Sequence, residues 1–505
     1  MMDEVRAVLR HRAWLTAAGA SAWAAVCLAL SLQASGWGAL AWTAWVPLAL
    51  CSDRMAPDRV FAAAWAAWSL GGVWAFRWAL QHPMGQPSVA AGVALVGCGA
   101  LLALPWYGAA RMRRRLGFGG HLVLVGAGSL AVEALLRYGP WALPGVLMGH
   151  TQPVAGVGGV LAPWGGVPLV SAWVWGLNGG LAYAARAQTW TAGVALGAWL
   201  LVPFACVGAA AAPISAGALH MRVVQPALPA TQWADGSPRE RLRTLKRLTL
   251  HAGTTPGTRP DAVVWPETAL PPNDSLRAAV FAWAAAQNIP LLTGAITSSD
   301  TGEQQYRNQA LWMTGPAPPA SYTKRHLVPF VEQVPLASVW PALAQWNLPA
   351  GGVAGYVRGA GPRSFRIDGA RVGPLICFEV LFGAYLRRYV RREQARAFVT
   401  VAQMGWWPLR GTRHLQRLAA LRAHAVGRAV LLADVRGPSG VIDPYGPDPR
   451  LAPAAARGEV VALPLYTHRT PFVRWGDWST VGAGALLLVL LVRLIVETRR
   501  STAIL

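Results

Sequence analysis

The chain has 505 residues, of which 54% are hydrophobic and only 13% are charged, and its formal net charge is +23. Soluble domains carry about 25% charged residues, so this composition excludes an ordinary soluble protein and indicates a membrane protein with two large units. The positive charge is scattered without a basic arm or a nucleic-acid-binding motif, so we expect no nucleic-acid partner; attraction to anionic lipid headgroups and a general Arg bias both explain it.

Long apolar segments occupy the first part of the chain and recur once near its end. A spanning helix needs about 20 apolar residues. The predicted spans lie near residues 14–31, 36–51, 60–79, 88–109, 119–137, 164–185, 190–212 and 477–496. We therefore predict a multi-pass α-helical membrane bundle in residues 1–212, a second domain in residues 213–476, and a last span with a short tail in residues 477–505.

Basic residues lie at alternate ends of these spans, which predicts the orientation of the chain. One set of ends carries Arg6, Arg10, Arg12, Arg54, Arg59, Arg111, Arg113, Arg114, Arg115, Arg186, Arg499 and Arg500. The opposite short loops, around residues 32–35, 80–87 and 138–163, carry no Lys or Arg. The positive-inside rule places both termini in the cytoplasm, and seven spans then put residues 213–476 on the outer side.

Three charged residues lie inside or at the edge of predicted spans: Arg77, Glu133 and Arg137. Charges at this depth are costly unless they are paired or reach water. Pairing with each other, or snorkelling to the interface, is one interpretation. A functional role in the membrane is the other.

The second domain alternates short apolar runs with stretches of helical periodicity, which predicts an α/β layered fold. The predicted strands are His220–Gln225, Ala262–Trp265, Ile289–Ile296, Gln309–Met313, Val372–Cys377, Ala397–Ala402 and Ala429–Asp434. The predicted helices are Arg277–Gln287, Glu379–Arg391 and His414–Val426. Residues 335–362, rich in Pro, Gly and Trp, read as a long irregular loop of the kind that is often functional.

Three segments of this domain could carry chemistry. Glu267 follows a strand, Lys324 precedes a second acidic residue at Glu332, and Cys377 is the only one of five cysteines in the polar half. A thiol where a strand ends and a helix begins is expected to have a lowered pKa, because the helix dipole stabilises the thiolate. A carboxylate can take its proton and a Lys ammonium can stabilise an oxyanion. Singly, each residue has an ordinary reading as a core thiol, a helix cap or a surface charge.

The order and wording of the segments resemble the Glu–Lys–Cys signature of the nitrilase (carbon–nitrogen hydrolase) superfamily. The membrane context resembles one branch of it, the apolipoprotein N-acyltransferases. The matching segments are Gly139–Trp141, Gly149–Gln152, Val223–Pro226 with Trp233, Trp265–Ala269, Tyr306–Leu311, Tyr322–Lys324, His326–Phe330, Val334–Leu336 and Ile376–Glu379. They follow in family order over nearly the whole chain.

The resemblance implies an αββα sandwich and a ping-pong transfer of a fatty acyl group. Cys377 would be the nucleophile, Glu267 the general base and Lys324 the oxyanion-stabilising residue. The supporting or substrate-binding positions that it implies are Glu332, Glu379, Trp233, Asn308, Phe378, Trp406 and Trp407. Loop 335–362 and the two Trp residues would form mobile arms over a lipid-facing cleft.

The donor implied by the resemblance is a phospholipid, and the acceptor is the α-amine of an apolipoprotein's diacylglyceryl-modified N-terminal Cys. The implied location is the bacterial cytoplasmic membrane, with the catalytic domain on its outer face. The sequence shows no zinc or nucleotide motif, so we expect neither a metal nor another cofactor. Two alternatives stay open: a membrane-tethered amidase that hydrolyses a small amide, and a catalytically weak homologue that binds lipoproteins.

The chain departs from the family pattern at several positions near the implied site. Gln403–Trp407 replaces the usual Asn-Asp-x-Trp-Phe, and Ala425 replaces the Glu of an Arg-Ala-x-Glu-x-x-Arg motif. Ala433–Ser439 replaces a Thr-Asn-Thr-Gly-x-Ser run, and Phe378 stands where Tyr is common. All three residues of the implied triad are retained, so the departures concern the groups that support them.

Overall fold

The computed structural model describes residues 2–33, 35–81, 89–139, 142–208, 213–250, 259–298, 306–315, 317–329, 331–334, 339–340, 342, 356–446 and 455–502. The chain divides into two compact units. The first contains Met1–Leu80, Val89–Ala210 and Trp475–Leu505, and the second contains Gln81–Ser88 and Ala211–Arg474.

The first unit is helical, as its composition predicts. Its helices are α1 (Met2–Gln33), α2 (Val46–Ser52), α3 (Pro57–Ala75), α4 (Val89–Leu135), α5 (Val157–Ala187), α6 (Trp190–Gly208) and the C-terminal helix Trp478–Thr502. Five of the described helices are long and apolar enough to cross a membrane, namely α1, α4, α5, α6 and the C-terminal helix. The predicted multi-pass helical architecture is confirmed.

Helix α4 is a hairpin of two antiparallel arms, residues 89–116 and 118–135. The rings of Trp106 and His121 lie 6.4 Å apart, whereas a continuous helix would separate them by about 22 Å at 1.5 Å per residue. The chain reverses at Gly117, whose φ of 66° and ψ of −178° are open to glycine alone. The two arms correspond to the predicted spans 88–109 and 119–137.

The prediction of one helix at residues 36–51 is wrong. This segment consists of a 3-10 helix, Ser35–Trp42, and the short helix α2. A Cβ atom on Gly38 would lie 2.7 Å from the Pro153 Cδ atom, so the backbone packs closely against this neighbour. Pro47 then starts α2, because its ring fixes φ at a helical value and it needs no N–H partner in the first turn.

Although it is not one helix, this segment returns the chain along the length of α1. The Ser21 hydroxyl donates to the Ala63 carbonyl at 3.0 Å, and the Gln33 amide donates to the Trp74 carbonyl at 3.0 Å. Residue numbers therefore rise together along α1 and α3, so the two helices are parallel. The chain between them must run back, which it does through residues 35–52.

The charged residues in the spans find partners other than those predicted from the sequence. The Arg77 guanidinium donates to the Gln33 side chain at 2.7 Å, and Arg137 pairs with Asp477 at 2.7 Å. Glu133 is buried and accepts the Met148 N–H at 3.0 Å. Side-chain pairing of Glu133 with Arg137 is therefore wrong, because each side chain has a closer partner on another segment.

The second unit contains two sheets. Its strands are β1 (Ser215–Gln225), β2 (Ala262–Val264), β3 (Leu291–Ser298), β4 (Tyr306–Met313), β5 (Ala320–Thr323), β6 (Phe365–Ile367), β7 (Ala370–Ile376), β8 (Ala397–Ala402), β9 (Val430–Asp434), β10 (Gly440–Ile442) and β11 (Arg457–Tyr466). The six-stranded sheet has the order β11-β1-β2-β3-β4-β5, and the five-stranded sheet has the order β10-β9-β8-β7-β6. All seven predicted strands are found, and β5, β6, β10 and β11 are additional.

Helices cover the sheets on their outer sides. They are α7 (Ala230–Asp235), α8 (Pro238–Leu250), α9 (Asp274–Ala286), α10 (Gly383–Arg388), α11 (Leu409–Val426) and α12 (Pro471–Trp475). Leu245 of α8 and Val280 of α9 pack with Trp265 and Leu291 in one buried cluster on the six-stranded sheet. The ring of Tyr389, just after α10, packs against Phe398 of the five-stranded sheet at 5.7 Å. Strands β4 and β7 contact each other between the sheets, which confirms the αββα sandwich.

The predicted helix Glu379–Arg391 is broken into three pieces. They are a 3-10 turn at Cys377–Leu381, helix α10, and a π-helical turn at Tyr389–Glu393. The Glu379 carboxylate accepts the N–H of Ile376 at 2.9 Å, which closes the first turn tightly. Phe382, with φ −94° and ψ 84°, then leaves helical geometry before α10 begins.

Candidate active site

The described structure brings two of the three predicted catalytic residues into direct contact. Glu267 follows β2, and Lys324 follows β5 in the same sheet. The Lys324 Nζ atom lies 3.2 Å from Glu267 Oε1 and 2.8 Å from Glu332 Oε1. Only 1% of Lys324 and 5% of Glu267 is exposed. A buried ammonium held between two carboxylates has a fixed position, which a group that stabilises charge requires.

Asn308 of β4 joins the two carboxylates from the other side. Its Nδ2 atom donates to Glu267 Oε1 at 2.8 Å and to Glu332 Oε1 at 3.1 Å. The backbone N–H of Lys324 donates to the Asn308 carbonyl at 2.8 Å, which fixes the position of Lys324 relative to β4. The predicted supporting residues Asn308 and Glu332 therefore belong to the same hydrogen-bonded group as Glu267 and Lys324.

The charge of Lys324 is maintained by this group. Burial alone lowers the pKa of an ammonium. At Lys324 the carboxylates of Glu267 and Glu332 outweigh that effect and hold its pKa well above the usual value. The ammonium is therefore positively charged throughout the physiological pH range, as an oxyanion-stabilising group must be.

The backbone that carries Glu267 lies close against β3. A Cβ atom on Gly294 would lie 2.5 Å from the Glu267 Cα atom, so only glycine fits there. The next residue, Thr268, has a left-handed backbone with φ 55°. Its hydroxyl accepts the indole N–H of Trp233 at 2.8 Å. The predicted residue Trp233 thus supports the segment after Glu267, from a fully buried position.

Cys377 stands at the end of β7, where the chain enters the 3-10 turn. Its φ of 49° is left-handed, and such backbone strain at a non-glycine residue costs about 1–3 kcal/mol. The residue is partly exposed, and its sulfur accepts a hydrogen bond from the backbone N–H of Gln403. The thiol interacts electrostatically with both Glu267 and Lys324, so the three predicted catalytic residues share one site.

The prediction that the pKa of Cys377 is lowered is wrong. Burial raises the pKa of the thiol, the Glu267 carboxylate raises it further, and the opposing effects of Lys324 and the Gln403 N–H are smaller. The segment after Cys377 is a 3-10 turn of five residues, so it lacks the long aligned dipole of the expected helix. The resting site therefore holds a neutral thiol beside a carboxylate that can remove its proton.

Glu379 connects the segment that carries Cys377 to the segment that follows Lys324. Its buried carboxylate accepts the Tyr322 hydroxyl at 2.7 Å and the backbone N–H groups of Arg325, His326 and Ile376. Burial raises its pKa to about 7, although these donors act in the opposite direction. Glu379 thus positions other residues, and Tyr322, two residues before Lys324, is a member of the site that sequence reasoning missed.

Phe378 and Trp407 are two further aromatic residues that the sequence predicts for the site. The ring of Phe378 packs edge-on against Phe382, with centroids 5.2 Å apart. Trp407 is half-buried, and its N–H donates to the Met404 carbonyl at 3.0 Å. The side chain of Trp406 and most of loop 335–362 lie outside the described residues. A role for this loop and for the two Trp residues as mobile arms therefore stays a prediction.

Gln403 and Asp434, at the ends of two other strands of the same sheet, enter the sequence analysis only within departures from the family pattern. Gln403 lies after β8 and bonds the sulfur through its backbone. Asp434, buried at the end of β9, accepts the N–H of Met404 at 3.0 Å and those of Arg436 and Gly437. Burial raises the pKa of Asp434 to about 6. The signal for both is their position at the ends of β8 and β9, the first and second parallel strands beyond the strand that carries Cys377.

Comparison with known proteins agrees with the resemblance seen in the motifs. Residues 245–447 match the carbon-nitrogen hydrolase family. An apolipoprotein N-acyltransferase of Pseudomonas putida is 29% identical over 255 residues, which are 48% of this chain and 48% of that protein. One of Bordetella bronchiseptica is 31% identical over 344 residues, which are 60% of this chain and 59% of that protein.

The chain spans about half the length of the first of these curated relatives. Among solved structures, an amidase from a Nesterenkonia species is 16% identical with a TM-score of 0.37, and the match covers 52% of this chain and 95% of the amidase. The match of residues 245–447 to the carbon-nitrogen hydrolase family agrees with the predicted resemblance to the nitrilase superfamily.

Proposed function

We propose that this protein, whose residues 245–447 form a carbon–nitrogen hydrolase domain, is a membrane-embedded acyltransferase that N-acylates lipoproteins. A neutral thiol, a carboxylate and a buried lysine in one site support acyl-transfer chemistry. The helices that can cross a membrane give access to a phospholipid donor. The curated relatives named apolipoprotein N-acyltransferase support the acceptor.

The first half-reaction forms an acyl-enzyme. Glu267 removes the Cys377 proton as the sulfur attacks the carbonyl carbon of a phospholipid ester. The developing oxyanion is stabilised by the Lys324 ammonium, which is already in place and charged. The carbon–oxygen bond then breaks, and the lysophospholipid alcohol leaves with the proton that Glu267 held. A thioester on Cys377 remains.

The second half-reaction transfers the acyl group to an amine. The α-amine of the N-terminal diacylglyceryl-Cys of an apolipoprotein attacks the thioester carbonyl. A carbon–nitrogen bond forms, the carbon–sulfur bond breaks, and the amine proton passes through Glu267 to the sulfur. The observation that carries this proposal is the buried Glu267–Lys324 pair that acts on the Cys377 thiol.

Intact-mass analysis tests both steps on the full-length protein. Incubation with phosphatidylethanolamine of defined chain length should add one acyl mass that hydroxylamine removes and that maps to Cys377. Addition of a diacylglyceryl-cysteinyl peptide should move that mass to the peptide amine. Cys377→Ala should abolish both events, whereas Cys206→Ala, a matched control at another partly exposed thiol, should retain them.

Three other outcomes would contradict the proposal. Full transfer by Cys377→Ala would exclude the nucleophile. An acyl-enzyme that yields only free fatty acid in the presence of the peptide would indicate a hydrolase of the amidase type. Binding of the peptide without any adduct or product would indicate a catalytically weak lipoprotein-binding protein.

A further inference from the structure

Gln403 follows the strand next to the one that carries Cys377, at the same edge of the sheet. Strands β7 and β8 are parallel, with Ile376 opposite Val401, so Cys377 and Gln403 follow adjacent strands at the same edge. The backbone N–H of Gln403 bonds the Cys377 sulfur. Only 7% of Gln403 is exposed, so its side-chain amide lies inside the site.

Two consecutive hydrogen bonds, from Trp233 to Thr268 and from Thr268 to Gln403, fix the orientation of this amide. The Trp233 indole N–H can only donate, and it donates to the Thr268 hydroxyl oxygen at 2.8 Å. The single hydroxyl hydrogen of Thr268 remains free to donate to Gln403 Oε1, which lies 3.1 Å away. The amide oxygen must therefore face Thr268, and the NH₂ group must point away from it.

The NH₂ group so oriented has no partner among the described residues. Gln403 Nε2 is buried and makes no hydrogen bond to any of the residues that the structure describes. A buried donor without an acceptor is unfavourable, and proteins satisfy such groups wherever they can. Thr268 directly follows Glu267, and the Gln403 backbone bonds the Cys377 sulfur. The donor therefore belongs to a residue that contacts both the Cys377 sulfur and the segment that carries Glu267.

We propose that Gln403 Nε2 is a second oxyanion donor, which binds the carbonyl oxygen of the acyl group on Cys377 together with Lys324. This inference rests on the proposed function. An oxyanion accepts more than one hydrogen bond, and Lys324 already divides its hydrogens between two carboxylates. The amide adds a neutral donor, fixed by Thr268 before the substrate arrives. Gln403 is thus a catalytic residue, and Trp233 and Thr268 are positioning residues.

The acyl-enzyme provides a direct readout. Full-length protein is acylated with phosphatidylethanolamine that carries ¹³C at the acyl carbonyl, and the thioester carbonyl stretch is recorded by infrared difference spectroscopy without acceptor. In Gln403→Met the band should move to higher frequency, because a hydrogen bond to the carbonyl is lost. The single-turnover acylation rate should fall by about 100-fold, as is typical when one oxyanion donor is removed.

Matched variants separate this role from packing. Gln416 is also buried, but its amide donates to the Pro438 carbonyl at 2.8 Å, so Gln416→Met should leave the band and the acylation rate unchanged. Thr268→Val keeps the shape of the side chain and removes the hydroxyl, so the amide can flip. It should shift the band in the same direction by a smaller amount, with a smaller loss of rate.

The outcomes also separate this inference from the proposed function. If the wild-type protein forms no thioester, the proposed function itself fails. If it forms one, and Gln403→Met shows the same band and the same acylation rate, the inference fails alone. Should Gln403→Met not fold, an unchanged band and rate in Thr268→Val would overturn it equally, because the orientation of the amide depends on that hydroxyl.

Discussion

Cys377 is protonated at rest, because burial and the Glu267 carboxylate both raise the pKa of its thiol. A preformed thiolate would react with any electrophile that entered the site, whereas a neutral thiol stays inert until a base removes its proton. Glu267 therefore has two opposed effects on the sulfur. It disfavours the thiolate electrostatically, and in the proposed mechanism it takes the proton when a substrate is bound.

These opposed effects predict that Glu267→Gln changes two rates in opposite directions: alkylation of Cys377 becomes faster and acyl transfer becomes slower. Loss of the carboxylate charge should lower the pKa of Cys377, so a larger fraction is thiolate at pH 8 and alkylation by iodoacetamide should be faster. Acyl transfer should instead fall by about 10²–10⁴-fold, because the general base is missing. Peptide mass spectrometry after timed alkylation measures the first effect, and the peptide-acylation assay measures the second.

The pH dependence of Cys377 alkylation tests whether the Glu267 carboxylate raises the pKa of the thiol. In the wild-type protein, alkylation of Cys377 should still rise steeply with pH near 9, where an ordinary thiol is already largely ionised. In Glu267→Gln the rise should shift to lower pH. Cys206, followed in the same samples, reports any general change in accessibility. Slower alkylation of Cys377 in Glu267→Gln would contradict the assignment of the base.

Two of the departures from the family pattern are in contact with each other in the structure. The pattern has Asp where this chain has Met404, and a Thr-Asn-Thr-Gly-x-Ser run where it has Ala433–Ser439, which includes Asp434. In the structure, the Asp434 carboxylate accepts the Met404 N–H at 3.0 Å. An acidic group therefore remains at this place but comes from the neighbouring strand. The sequence shows two separate substitutions, and only the pairing of β8 with β9 shows that they are related.

At the scale of elements, buried apolar runs could be read from the sequence, whereas several short strands and the half-exposed strand β11 could not. The strands that carry Glu267 and Cys377 are buried and were predicted. Strands β5 and β6, of four and three residues, are too short for an alternating pattern to show. The helical spacing of apolar residues after Cys377 predicts a helix, whereas a hydrogen bond to Glu379 closes this segment as a 3-10 turn.

The hairpin in α4 depends on Gly117 in a way that can be tested. A side chain at φ 66° and ψ −178° is strained whatever space surrounds it, so Gly117→Ala should destabilise the protein by about 1–3 kcal/mol. Gly108→Ala, in the first arm and with open space at its Cβ position, should be neutral or slightly stabilising. Thermal unfolding of the two purified variants in detergent measures the difference. Equal melting temperatures would contradict the reversal at Gly117.

At the scale of the whole molecule, the arginines of separate loops gather at one end of the helical unit. The Arg113 side chain donates to the carbonyl of Ser52 at 3.0 Å, and Arg186 pairs with Asp53. Arg137 and Asp477, at the start of the C-terminal helix, meet at the opposite end. The charge bias predicted from the sequence thus coincides with a physical end of the bundle, and its geometry could not be read from the sequence because it depends on how seven segments pack.

This arrangement predicts the orientation of the protein in the membrane. The arginine-rich end should face the cytoplasm, and the odd number of crossings then places the catalytic domain outside. In spheroplasts of the full-length protein, a membrane-impermeant maleimide should label Ser275→Cys, an exposed position on α9. It should label Met112→Cys, 38% exposed at the arginine-rich end, only after permeabilisation. The reverse pattern would invert the topology and remove the catalytic domain from its proposed acceptors, since these would lie on the other side of the membrane.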